Sequence, residues 1–313
     1  MNQQCLLRKR IVWPIAVIMM LGCCSASAEN PEFVVEPGKP FSEDFAAKEL
    51  DRDRWNVEIT GRTVNNEQQA YIDSPDTMFI AHDGPYTEGA ENDGVLVIRP
   101  QFRPGYSSDA TRGRKYDFVS GRINSRDKVA FTYGSAAARI KMSAGAGLWP
   151  AFWLLGNGPW PATGEIDIME YVGDTSWVSQ AVHGRGYSGD TPIANRFTLP
   201  QGADATAWHV YSVDWSDSEM IFKVDGHEVY RATKAMIEKH GDWAFDNPKF
   251  VIVNFALGGT YPQGVNKVRE PYPGLPQSTV DFIRAEKAVY LVDWIRLTSP
   301  ADATAAGVAK PAK

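Results

Sequence analysis

Three acids stand close together in Gly164-Glu-Ile-Asp-Ile-Met-Glu-Tyr171. In an extended strand, residues two apart share a face, so Glu165 and Asp167 point together while Ile166 and Ile168 point the opposite way into a core. Strict alternation would turn Glu170 to the core side as well, where an unpaired carboxylate is very costly. A β-bulge near Ile168-Met169 removes the conflict, because one extra residue returns Glu170 to the face of the other two acids. A row of like charges repels itself and serves no fold. It does suit cleavage of a glycosidic bond. A retaining mechanism needs two carboxyl groups ~5–5.5 Å apart, one to attack the sugar and one to protonate the leaving oxygen. Crowding keeps one of them protonated by raising its pKa, and Asp167 between them can share a hydrogen bond with Glu165. Two other readings fit the spacing alone: a hard cation held by the three carboxylates, or plain solvated strand positions.

The elements that must carry this strand are themselves strands. Gly94-Val-Leu-Val-Ile98, residues 136–142, His209 to Trp215, Met220 to Asp225, Phe250 to Phe255 and Tyr290 to Leu297 are short β-type runs separated by Gly, Pro, Asn and Asp. Several alternate apolar and polar residues, as strands with one buried face do. Asp225-Gly226 is a hairpin turn signal. Only Thr233 to His240 reads as helical. Many strands with almost no helix predict an all-β sandwich or barrel.

Composition narrows the partners. The chain has 313 residues, 43% apolar and 12% aromatic, enough for one large core. Nine of its ten Trp lie beyond residue 28, more than a core needs, which suggests a surface that stacks on flat ligands. The net charge of −6, with no long run of Lys and Arg beyond residue 28, argues against nucleic acid and suits a neutral polymer. Arg8, Lys9 and Arg10, the apolar run Ile11 to Gly22 and Ala26-Ser27-Ala28 together predict an export signal over residues 1–28, its apolar run being too short to span a bilayer. Cys5, Cys23 and Cys24 all fall inside it, so the mature chain is expected to have no disulfide. Met20-Leu21-Gly22-Cys23 also resembles an imperfect lipoprotein signal, with Cys23 as lipid carrier. Secretion or a periplasmic location is therefore expected, with a lipid anchor as the alternative. Residues 301–313 are rich in small residues and are expected to be a disordered tail.

These residues resemble family 16 of the glycoside hydrolases over nearly all of residues 29–300. The Glu-x-Asp-x-x-Glu pattern, Gly147-Leu-Trp-Pro-Ala-Phe-Trp-Leu-Leu155 and Trp160-Pro-Ala-Thr-Gly164 look like the flanks of its bacterial laminarinases. Trp55, Asn65-Asn66-Glu67, Ser120-Gly121-Arg122-Ile123, Phe131 to Gly134, His183 to Gly189, Trp243 to Asp246, Asn254 to Gly259 and Val292 to Arg296 match further strands and loops. The resemblance implies a concanavalin-like β-jelly-roll sandwich of two antiparallel sheets with a concave substrate cleft. It implies Glu165 as nucleophile, Asp167 as assisting residue and Glu170 as acid/base. Trp149, Trp153, Trp160, Asn65, Arg122, His183 and Asn254 would bind sugar, whereas Trp208, Trp215 and Trp294 are assigned to the core. It also implies retaining endo-hydrolysis of β-1,3-glucan by a monomer that needs no catalytic cofactor. Mixed-linkage β-1,3-1,4-glucan or agar is the alternative substrate, and a lectin-like polysaccharide binder is the non-enzyme alternative. A structural Ca²⁺ near Glu43, the carbonyl of Gly94 and Asp293 is expected from many relatives. Two departures stand out. Ala137 replaces a usual Glu, which would remove a polar contact at the cleft. The connection from Tyr261 to Tyr290 is long, and its Pro271-Tyr-Pro-Gly-Leu-Pro276 is expected to form an ordered loop at one end of the cleft.

Overall fold

A computed structural model describes residues 33–34, 40–61 and 64–300. The expected export signal with its three cysteines and the expected tail lie outside these residues. Beyond residue 30 the described chain is a single unit.

Two sheets of nine and eight strands make up most of it. The nine-stranded sheet runs in the order Phe33–Val34, Val129–Phe131, Lys249–Leu257, Leu148–Gly156, Glu165–Glu170, Trp177–His183 and Ile193–Thr198; Arg122–Asn124 and Asn56–Val57 pair beside this path. Its central strand, Lys249–Leu257, is buried along its whole length, and its sequence is correspondingly almost continuous in apolar residues. The other edge strand, Ile193–Thr198, alternates half-buried and exposed side chains. The eight-stranded sheet contains Gly134–Met142, His209–Trp215 and Tyr290–Thr298 at its centre.

The sheets pack face to face. Ile166 and Ile168 from one and Ala136, Ala138, Ile140, Tyr211 and Val213 from the other belong to one apolar core. Tyr290 donates across it to the Ala151 carbonyl at 3.3 Å, and its ring meets Phe255 edge-on. The expected sandwich is therefore present. Its pairings are antiparallel except two: Phe33–Val34 on Val129–Phe131, and Gln69–Tyr71 on Tyr116–Ser120 in a small third sheet. The hairpin at Asp225-Gly226 also forms, with both residues at positive φ.

Helix is more frequent than the sequence reading allowed. Lys234–Ile237 falls within the helical stretch expected over Thr233 to His240, while Thr260–Asn266 and Gln277–Arg284 add two helices that the sequence pattern does not predict. Trp215 and Trp294 are buried as assigned; Trp208 is only half-buried, over a satellite cluster on the outer side of the eight-stranded sheet. No helix among the described residues is long and apolar enough to cross a membrane.

Candidate active site

The strand Glu165–Glu170 carries the acids inside the nine-stranded sheet, between Leu148–Gly156 and Trp177–His183. Its register with Leu148–Gly156 slips once: Phe152 pairs Met169 while Trp153 pairs Asp167, leaving Ile168 as the extra residue. The same slip appears against the other neighbour, between Asp167–Ala181 and Glu170–Ser179. Ile166, Ile168 and Met169 are buried in the core, and Glu165, Asp167 and Glu170 all line one cleft of about 800 Å³ on the opposite face. The bulge required by strand alternation is thus where the apolar residues demanded it.

Small residues flank the acids. Ala151 and Ala181 stand beside Glu170 and Asp167 in the neighbouring strands, and Ala194 and Ala256 continue the floor. Larger side chains form the walls. Trp149 donates its indole N–H to Glu170 Oε1 at 3.0 Å, and Trp160 donates to Glu165 Oε2 at 2.7 Å. Trp160 is 49% exposed, a surface that packing does not require. His183 Nε2 lies 3.1 Å from Asp167 Oδ2 and 3.8 Å from Glu165 Oε1. Trp153 donates to Asn254 Oδ1 at 2.7 Å, and Asn254 donates in turn to the Tyr71 hydroxyl at 3.1 Å. Arg122 is ion-paired with Glu58 at 2.8 Å and covers the Trp153 ring at 5.0 Å, so its charge is already matched. Asn65 lines the same cleft at positive φ. All ten residues expected to act on or bind sugar therefore meet in one place.

Burial sets the electrostatics. It pushes Glu165 up to about 8, with the neighbouring Asp167 charge adding to the rise and His183 and the Trp160 hydrogen bond opposing it. Burial and then Asp167 likewise push Glu170 up to about 8, against the Trp149 hydrogen bond. Asp167 is also raised by burial, while a hydrogen bond shared with Glu165 lowers it. Acids so placed release their protons, as a set, at higher pH than ordinary carboxyl groups. Glu165, Asp167 and His183 each offer an atom within 4.8 Å of the others, so this corner also has the geometry of a cation site.

Other expectations are corrected. Ala137 lies in Gly134–Met142 of the other sheet, paired with Ser212 and Arg296, and so is not at the cleft. Residues 271–276 do not line the cleft; Tyr272 anchors them to Asp117 at 2.7 Å. The same connection instead supplies the helix Thr260–Asn266, whose Tyr261, Gly264 and Val265 form one wall. Tyr261 was missed by the sequence reading: its hydroxyl meets Ser179 Oγ at 3.0 Å and its ring meets Trp149 edge-on at 5.4 Å. The unusual length of the connection was the only available signal. Glu67, also missed as a wall residue, accepts from Gln69 at 2.8 Å and Tyr71 at 3.4 Å.

The calcium residues sit away from the cleft and do not fit a cation as side-chain ligands. Buried Asp293 accepts from the backbone N–H of Glu91 and Asn92 and pairs with Arg139 at 2.5 Å, so a cation there would face a guanidinium. Glu43 accepts from Phe45 N–H and Trp55 Nε1, each at 3.0 Å. Beside Gly94 the Phe45 carbonyl approaches so closely that a Cβ would collide with it.

Comparison with known proteins agrees with this arrangement. The model for "Glycosyl hydrolases family 16" matches residues 86–272. Glucan endo-1,3-beta-glucosidase A1 of Niallia circulans is 30% identical over 79% of this chain, which spans only 37% of that protein's length. The beta-glucanase of Rhodothermus marinus is 28% identical over 87% of this chain and 92% of its own. Among solved structures, the catalytic domain of an endo-1,3-beta-glucanase (laminarinase) from Thermotoga petrophila RKU-1 superposes with a TM-score of 0.69 at 30% identity, covering 84% of this chain and 97% of that one.

Proposed function

The chain belongs to family 16 of the glycosyl hydrolases, and on that premise we propose that it cleaves β-1,3-glucan internally with retention of configuration. The observation that carries this reading is the bulge that brings Glu165, Asp167 and Glu170 into one trough, flanked by alanines and walled by tryptophans. A flat sugar ring can lie over Trp160 while Asn65 and His183 face its hydroxyls.

Glu165 attacks the anomeric carbon as Glu170 delivers its proton to the departing glycosidic oxygen. A glycosyl-Glu165 ester forms and the first product leaves. Glu170, now ionised, takes a proton from water; the resulting nucleophile breaks the ester and restores Glu165. Asp167 can hold the proton it shares with Glu165 when Glu165 must be ionised, which keeps the total charge of the row constant. The raised pKa of Glu170 suits an acid at neutral pH.

Substituting Glu165→Gln and Glu170→Gln in turn tests the roles. Each variant should lose at least ~10³-fold in kcat while keeping its fold and its affinity for the polymer; a variant that retains most activity would remove that residue from the mechanism. Chelation separates catalysis from the cation reading of the same corner. Hydrolysis should survive EDTA, and its disappearance would assign the cluster to a metal. Digesting laminarin, barley β-glucan and agarose side by side tests the substrate, with laminarin expected to be cleaved fastest.

Residues 1–28 support export of the enzyme to act on a polysaccharide outside the cytoplasm. The mass of the secreted product would distinguish cleavage after Ala28 from a lipid at Cys23.

A further inference from the structure

The buried cation at the end of the central strand has no part in the chemistry above. Lys249 is 0% exposed. Its Nζ donates to the Thr163 carbonyl at 2.8 Å and to Asn247 Oδ1 at 2.9 Å, and reaches the carbonyls of Ala244 and Asn247 at 3.3 Å. The rings of Trp215 and Phe245 close the cage at 5.3 and 5.5 Å. Asp246, the acid that acts on it electrostatically, is paired with Lys234 instead. Burying an ammonium among neutral oxygens is costly, and burial pushes its pKa down to about 7. Core packing alone would be served better by an apolar side chain.

What the cage holds is the approach to the active site. Thr163 ends a tight turn closed by Ala162 N–H to the Pro159 carbonyl and Gly164 N–H to the Pro161 carbonyl, at 2.9 and 3.0 Å. Trp160 projects from that turn, and Glu165 follows it directly. Gly164, at φ 72°, lets the turn press on Ala244; a Cβ there would stand 2.4 Å from the Ala244 carbonyl. A Cβ on Gly156 would likewise stand 2.3 Å from the Thr163 carbonyl and 2.8 Å from Asn247 Oδ1. One ammonium therefore ties together the turn and the 244–247 segment.

We propose that Lys249 is a positioning residue for hydrolysis, its caged ammonium fixing the 159–163 turn so that Trp160 is held against Glu165. The inference rests on the functional reading above but concerns a structural coupling that can be measured separately.

A double-mutant cycle with Trp160 tests it. Lys249→Met keeps the aliphatic stem and removes the charge; Trp160→Phe keeps an aromatic face and removes the N–H that Glu165 accepts. On laminarin, well below the melting temperature, Lys249→Met should lower kcat ~10-fold with KM within about twofold, since small misplacements act on the reacting geometry. In the Trp160→Phe background the same change should cost less than about twofold. Equal losses in both backgrounds would overturn the proposal. Asn247→Ala removes one cage acceptor and should show the same coupling at smaller size if Lys249→Met fails to fold. A readout independent of activity uses protein labelled with 5-fluorotryptophan. The ¹⁹F resonance that Trp160→Phe deletes should move in Lys249→Met, and an unmoved resonance would equally overturn the coupling.

Discussion

Glu165, Asp167 and Glu170 cannot all be charged in one buried row, so their protons belong to the set. Each glutamate binds its proton more tightly folded than unfolded, its pKa rising from 4.5 to about 8. That contribution to stability is fully present below about pH 4.5 and is lost as pH rises through about 8. Glu170→Gln keeps the shape and removes one titrating group. The variant should match the wild type at pH 5 and exceed it at pH 8 by ~1–3 kcal/mol, or several degrees in Tm. Calorimetry at the two pH values checks this, and a variant less stable than the wild type at pH 8 would contradict it. The three acids were legible because their spacing conflicts with strand alternation and only a bulge resolves the conflict. Tyr261 was not legible: one aromatic in Gly258-Gly-Thr-Tyr-Pro-Gln-Gly264 carries no period and no pattern, and its place beside Trp149 and Ser179 is set by tertiary contacts.

The bulge is a property of the strand, and it can be removed. Deleting Ile168 would restore strict alternation, with Met169 taking the inward position and the three acids still outward. Such a variant should fold and keep measurable hydrolysis, reduced ~10–100-fold because Glu170 shifts along the strand. Assay of the purified deletion beside its circular dichroism checks this; a folded but wholly inactive protein would show that the bulge supplies more than the facing of Glu170. The helices explain where element-level reading stopped. Thr260–Asn266 contains Pro262 and Gly264, both poor in helix interiors. It forms because the Asn65 carbonyl accepts from Thr260 N–H and its hydroxyl, both at 2.7 Å, a contact 195 residues apart in sequence. Gln277–Arg284 follows Pro276 and buries Thr279, Val280 and Ile283, an apolar spacing too short to stand out within the long connection.

At the scale of the whole molecule, the charge balance and the site agree. The chain is acidic overall, and within the cleft Arg122 is paired with Glu58 and Glu67 accepts from Gln69 and Tyr71, so that, Asp190 apart, rings and amides dominate the walls around the catalytic acids. Recognition of a neutral polymer should not depend on long-range charge. KM for laminarin should therefore change less than about twofold between about 0.05 and about 0.5 M NaCl; a steep salt dependence would point to an anionic polysaccharide. The fold class and the cleft were readable from strand spacing and from the resemblance in the catalytic segment. Features that depend on which sheet faces what were not: Ala137 was expected at the cleft and lies in the opposite sheet, and Glu43 and Asp293 are held by N–H and guanidinium donors of their own. The central claim is that Glu165 attacks the sugar and water later displaces it from the opposite face, the one the leaving group vacated, inverting the anomeric centre twice. Proton NMR of a polymer digest, recorded within the first minutes, tests this most directly. The new reducing ends should appear first as the β anomer and only later equilibrate towards α; ends that appear first as α would contradict the account.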